Sequence, residues 1–145
     1  MKRLVWFALA SLSTIAVGAT ANAARTEVLS YKAEMNGNSE VPANQSKGMG
    51  SVTVTYDAVE KKLSWKGSYS ALTGQVTAAH FHGPAVAGKN AGIAIGIASG
   101  NLPAAFEGSA TLTEIQAADL MAGRRYIDLH TAAHPAGEIR GQVVK

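Results

Sequence analysis

The chain has 145 residues, no cysteine, four histidines and a formal net charge of +3. Without a thiol it has no disulfide, no thiolate metal site and no lipidated N-terminal cysteine, so a folded domain must rest on its own apolar core. Setting aside Lys2 and Arg3 leaves 11 basic residues against 10 acidic ones, a net +1, and no basic stretch with interleaved aromatics remains to bind nucleic acid.

Residues 1–23 read as a signal peptide. Lys2 and Arg3 give a basic start, Leu4 to Val17 is an apolar run with small residues, and Ala21-Asn22-Ala23 is an A-x-A cleavage signature. The apolar run is short for a membrane span, so no stable membrane insertion is expected after cleavage. The mature part, residues 24–145, is expected to be one exported domain, periplasmic or secreted.

The mature chain alternates polar and apolar residues in short runs. Val28 to Met35 reads as a half-buried strand, and Asn36 to Gly50 is a loop rich in glycine, proline and asparagine. The tripeptide Glu40-Val41-Pro42 in that loop has no role the pattern reveals. Ser51 to Tyr56 is a β-branched strand, and Leu63, Trp65, Gly67 and Tyr69 alternate with polar residues to form its hairpin partner. Trp65 reads as core packing. Gln75 to His82 is the next strand, followed by a loop over Pro84 to Ala91 that is expected to be mobile. In Gly92 to Ala98, isoleucines alternate with glycine and alanine, so another segment is expected to pack closely on the small face. Phe106 to Leu112 is a further strand. Thr113 then opens a helix as N-cap, with Gln116 at the capping-box position and Ile115, Leu120 and Met121 as its apolar stripe. Arg124-Arg125 reads as a solvated pair after the helix. Tyr126 to His130 and Glu138 to Val144 close the chain as strands.

All four histidines lie in two segments, Ala79-His80-Phe81-His82-Gly83-Pro84 and His130-Thr131-Ala132-Ala133-His134-Pro135. On a strand His80 and His82 share one face and Phe81 takes the other. Tyr126, Asp128 and His130 likewise share one face, opposite Ile127 and Leu129. The apolar faces need a core, so the histidines are expected on the outside of the sheet or at its rim. If the two strands are neighbours, His80, His82 and His130 converge, and His134 folds back from its turn. Four neutral imidazoles without a thiolate suit copper(II), with zinc as the alternative. Asp128 is placed to accept from a ligand ring and orient it. Glu138 and Arg140 alternate with Ile139 and are expected to face outward, as a rim salt bridge holding the turn.

Seven or eight short strands, turns every ten or so residues and one short helix predict an all-β fold. The expected form is an antiparallel Greek-key β-sandwich or flattened barrel. The chain resembles the CHRD domain family, named for its occurrence in chordin. The resemblance rests on Asn38-Ser39-Glu40-Val41-Pro42, on Ala79 to Ala85, on Leu112-Thr113 through Tyr126, and on His130 to Gln142, in that order. It implies an outlying likeness to the copper-zinc superoxide dismutase sandwich, whose copper site also begins with a His-x-His strand. At His134 the chain departs from the family pattern, which is similar to Asn-Pro there.

The functional expectation is an exported copper-binding protein acting as a buffer, carrier or scavenger through His80, His82, His130 and His134, and not as a catalyst. The alternatives are a dismutase-like copper enzyme and a metal-independent extracellular interaction module. The sequence names no protein partner.

Overall fold

A computed structural model describes residues 27–145. The leader expected over residues 1–23 lies outside the described residues. Eight strands form one antiparallel sheet: β1 (Val28–Asn36), β2 (Met49–Asp57), β3 (Lys62–Ser70), β4 (Val76–His82), β5 (Ile93–Ser99), β6 (Ala105–Thr111), β7 (Tyr126–Thr131) and β8 (Ile139–Gln142). One helix, α1 (Glu114–Met121), lies between β6 and β7, and a 3-10 turn (Gly37–Ser39) follows β1. The strand order is β5-β4-β7-β8-β1-β2-β3-β6. The all-β class with one short helix expected from the alternation is the class observed.

The sheet curls until its ends face one another. Trp65 of β3 and Phe81 of β4 stand near opposite ends of the strand order, yet their rings meet edge to face with centroids 5.3 Å apart. The result is a nearly closed, flattened barrel. Its interior is filled by the inward set of each strand: Tyr31, Ala33 and Met35 of β1; Val52, Val54 and Tyr56 of β2; Leu63 and Trp65 of β3. Phe81, Ile127, Leu129 and Ile139 supply the other wall. Trp65 is a core residue, as its alternation suggests. It fits because β6 presents Gly108 opposite it, where a Cβ would come within 2.5 Å of the indole. A glycine in a strand here marks close approach.

The edge strands β5 and β6 do not pair, and α1 lies near that gap. Gln116 donates from Nε2 to the Ala94 carbonyl of β5, and Leu120 shares a small apolar recess with Leu63, Phe81 and Ile95. The capping box forms as expected, Thr113 and Gln116 each bonding the other's backbone. The expected stripe does not. Ala117 and Leu120 are buried, whereas Ile115 and Met121 are 77% and 50% exposed. Ala117 and Leu120, three apart, form the inward edge of this two-turn helix, and the third buried position is Asp119.

Asp119 also overturns the solvated reading at Arg125, while Arg124 stays exposed as expected. Arg125 is buried with its Nη2 3.4 Å from Asp119 Oδ2, and Arg124 Nη2 lies 2.7 Å from Oδ1. A buried carboxylate needs such partners, which draws both guanidinium groups back to the helix end. The close packing expected on the small face of β5 is absent at Gly96, where an added Cβ would meet nothing within 4 Å. As an edge strand, β5 leaves that position open.

Candidate metal centre

β4 and β7 are neighbours. They pair antiparallel with Ala78 opposite His130, His80 opposite Asp128 and His82 opposite Tyr126. Phe81, Ile127 and Leu129 point into the core, so period-two alternation puts His80, His82, Tyr126, Asp128 and His130 together on the outer face. β8 extends the rows, with Arg140 opposite Asp128 and Gln142 opposite Tyr126.

This outer face is not a solvent surface. His82 is 8% exposed, Asp128 4% and Arg140 2%. Two long loops, 37–48 and 83–92, cover it. The second loop, expected to be mobile, is tied down at several points. His82 Nδ1 bonds the Ala91 carbonyl at 3.0 Å, and the Tyr126 hydroxyl bonds the Ala91 backbone. Arg140 donates to Asn90 Oδ1 and to the Lys89 carbonyl, and Gln142 donates to the Ala85 carbonyl. Asn90 in turn donates to the Val41 carbonyl, linking the two loops.

Under this cover, His80, His82, Asp128 and His130 each offer one ligand atom, and the four atoms lie within 4.8 Å of one another. His130 Nε2 is 3.0 Å from Asp128 Oδ1 and 3.3 Å from His80 Nδ1. His82 Nε2 is 3.1 Å from the same Asp128 oxygen, but off the line of a hydrogen bond, so this buried nitrogen has no hydrogen-bond partner. A tetrahedral centre with bonds of about 2.0 Å has ligand-to-ligand edges of about 3.3 Å. Three of the spacings are close to that edge, and the set as a whole, within 4.8 Å, needs a small contraction to close on one cation.

The tautomers follow from the backbone. A carbonyl only accepts, so His82 Nδ1 donates to Ala91 O and His130 Nδ1 donates to Pro135 O, at 3.1 Å. Both rings therefore keep Nε2 as the lone-pair nitrogen when neutral, within 3.1 Å of Asp128 Oδ1, His130 along a hydrogen-bond line and His82 off it. Lone pairs facing a carboxylate repel unless a proton or a metal ion lies between them. In the absence of an ion the protons do this. The His130 pKa is raised, chiefly by its bond to Asp128 against the effect of burial. Burial pulls His82 down, but the Asp128 carboxylate 3.1 Å away, with the Ala91 carbonyl, raises it overall. Burial pushes Asp128 up, and the two histidines outweigh that and hold it below the usual carboxylate value. His80 is lowered by burial and by the neighbouring His130.

His134 is not in the converging group. It lies half-buried in the turn after β7, where its backbone N–H and carbonyl both pair with Thr131. That turn brings the Pro135 carbonyl to His130 Nδ1. Asp128, expected to orient a ligand ring, presents its own oxygen among the histidine nitrogens. Glu138 and Arg140 are corrections as well. They are 0% and 2% exposed and form no salt bridge with each other. Glu138 accepts from the hydroxyls of Ser46 (2.6 Å), Thr73 (2.7 Å) and Thr131 (2.5 Å), and from the Thr73 backbone N–H (2.8 Å). Burial works to raise its pKa, and these donors hold it below the ordinary value. Arg140 lies over the Tyr126 ring, 3.4 Å from its centre, and the same ring stacks on His82 with centroids 4.9 Å apart. Tyr126 joins the site on the strand face it is expected to share with Asp128 and His130. Glu40, close enough for its charge to act on His130, has only the unexplained Glu40-Val41-Pro42 as its signal.

The barrel wall and its contents define an all-β protein with a histidine-rich group able to hold a metal ion. The CHRD domain model matches residues 31–143, and the chain belongs to the CHRD domain family. No curated protein and no solved structure matches it. No helix among the described residues is long and apolar enough to cross a membrane.

Proposed function

We propose that this is an exported metal-binding protein that holds one copper(II) ion through His80, His82 and His130, with Asp128 as the fourth donor, for buffering, transport or scavenging. The observation that carries the reading is the pair of Nε2 nitrogens held within 3.1 Å of Asp128 Oδ1 while backbone carbonyls occupy the far nitrogen of both rings. A carbonyl partner on the far ring nitrogen is how metal-binding histidines are commonly oriented. Three imidazoles and one carboxylate, with no sulfur, suit copper(II) or zinc, and for a given nitrogen–oxygen set copper(II) binds more tightly. The leader-like residues 1–23 support export. His134 serves the site through the turn that carries Pro135.

Isothermal titration with Cu(II) and Zn(II), against a His80→Ala/His82→Ala variant, tests this. The expected result is one tight equivalent of Cu(II), weaker Zn(II), and loss of both in the variant. Equal weak binding by the two proteins would refute it. Bound ion is also expected to raise the melting temperature, and a chelator to reverse the rise.

A further inference from the structure

Glu40, ionised above about pH 7, and Arg140 then carry opposite charges, and they are 8% and 2% exposed. Both line a cavity of about 190 Å³, together with Asn38, Ser39, Gly88 and Gln142. No ion pair joins them among the described residues. Glu40 Oε1 is buried with no hydrogen-bond partner. Its carboxyl rests against Gly137, whose φ of 128° suits glycine, and a Cβ there would come 2.6 Å from Oε1. Gln142 Nε2 gives its hydrogens to the Ala85 and Gly123 carbonyls, which fixes the amide and leaves Oε1 as a second buried acceptor without a donor. Arg140 bonds Asn90 and Lys89, and a guanidinium with five N–H groups keeps donors beyond those two bonds.

Buried carboxylates are paired as a rule, because an unpaired one is costly. We propose that this cavity binds a small zwitterion of the α-amino-acid class, with its ammonium on Glu40 and its carboxylate on Arg140. A bare anion satisfies Arg140 and sets a second negative charge beside Glu40. A bare cation does the reverse. A molecule carrying both charges satisfies both walls. The volume is about six times the ~30 Å³ that one water occupies in the liquid and below the ~300 Å³ of ordinary small-molecule pockets. It therefore admits a small amino acid, of which glycine is the simplest probe. The cavity lining includes none of His80, His82, Asp128 or His130, so binding there needs no metal.

The test is an NMR titration at pH 8, where Glu40 is ionised, of chelator-treated, metal-free protein with glycine, acetate and methylammonium separately. Glycine is expected to give saturable amide shifts at Ser39, Gly88 and Gly137, with acetate and methylammonium at least about tenfold weaker. Glu40→Gln, which keeps the shape and removes the charge, is expected to weaken glycine about tenfold with no loss of melting temperature. Should that variant fold poorly, the three-ligand ranking on the unaltered protein decides alone. Acetate binding as tightly as glycine, unchanged glycine affinity in a folded Glu40→Gln, or no saturable shift at these amides would each overturn the proposal.

Discussion

The two halves of the sheet share one alternation and use it differently. In β1, β2 and β3 the residues opposite the core are solvated, with Lys32, Glu34, Thr53 and Lys66 all exposed. In β7 and β8 the equivalent positions hold Tyr126, Asp128 and Arg140, all buried. What separates them is loop length. β2 and β3 are joined by residues 58–61 alone, whereas loops 37–48 and 83–92 fold over the other half. A polar strand face becomes a site when something covers it, because only then do fixed partners replace water.

The sharpest way to break this contrast is to remove a converging donor. His82→Ala or Asp128→Ala is expected to lower metal affinity at least about a hundredfold, since each takes one ligand from a four-donor set. Thr53→Ala, at an outward position of the solvated half, is expected to leave titration curves unchanged. Next comes Glu138→Ala, which strands the hydroxyls of Ser46, Thr73 and Thr131 and the Thr73 N–H under the loops. A loss of about 3 kcal/mol in urea unfolding is expected. In the other half the vulnerable point lies inside the barrel. Gly108→Ala drives a methyl against Trp65 and is expected to cost about 1–3 kcal/mol, with metal binding intact.

The last expectation is a pH dependence, spread over several pH units. Burial and the nearby Asp128 charge raise Glu40 from 4.5 to about 7. The folded state then holds this proton more tightly than the unfolded chain. The resulting stability is full below pH 4.5 and is lost as pH rises through 7, by up to about 3 kcal/mol. Glu138 and Asp128, both lowered, act in the opposite sense and lose their contribution as pH falls through the acid range. Metal-free Glu40→Gln is therefore expected to lose less stability than the unaltered protein between pH 5 and pH 8. Equal losses would show that Glu40 ionises without penalty.

Much of this was legible in the residues. Alternation located the strands, Thr113 and Gln116 located the helix start, and opposite faces for Phe81 and His82 followed from period two. The long-range features were not. Nothing local in Glu138-Ile139-Arg140 shows that two loops, supplying Ser46 and Asn90, will close over both charged residues. Arg125 looks solvated until Asp119 is seen beside it. Ile115 looks buried until the helix is seated by Ala117 and Leu120. The miss at Glu138 and Arg140 comes from chain far away in sequence, and those at Arg125 and Ile115 from how a two-turn helix is seated on the barrel.

β4 and β7 are adjacent in space although some fifty residues separate their histidines. Before they pair, the chain holds no more than short fragments with two imidazoles each, and such fragments hold ions weakly. On the proposed function, tight capture would be a property of the finished barrel, reached only after its distant strands pair. An ion withdrawn from the folded protein leaves the cradle standing, while one offered to the nascent chain finds no cradle.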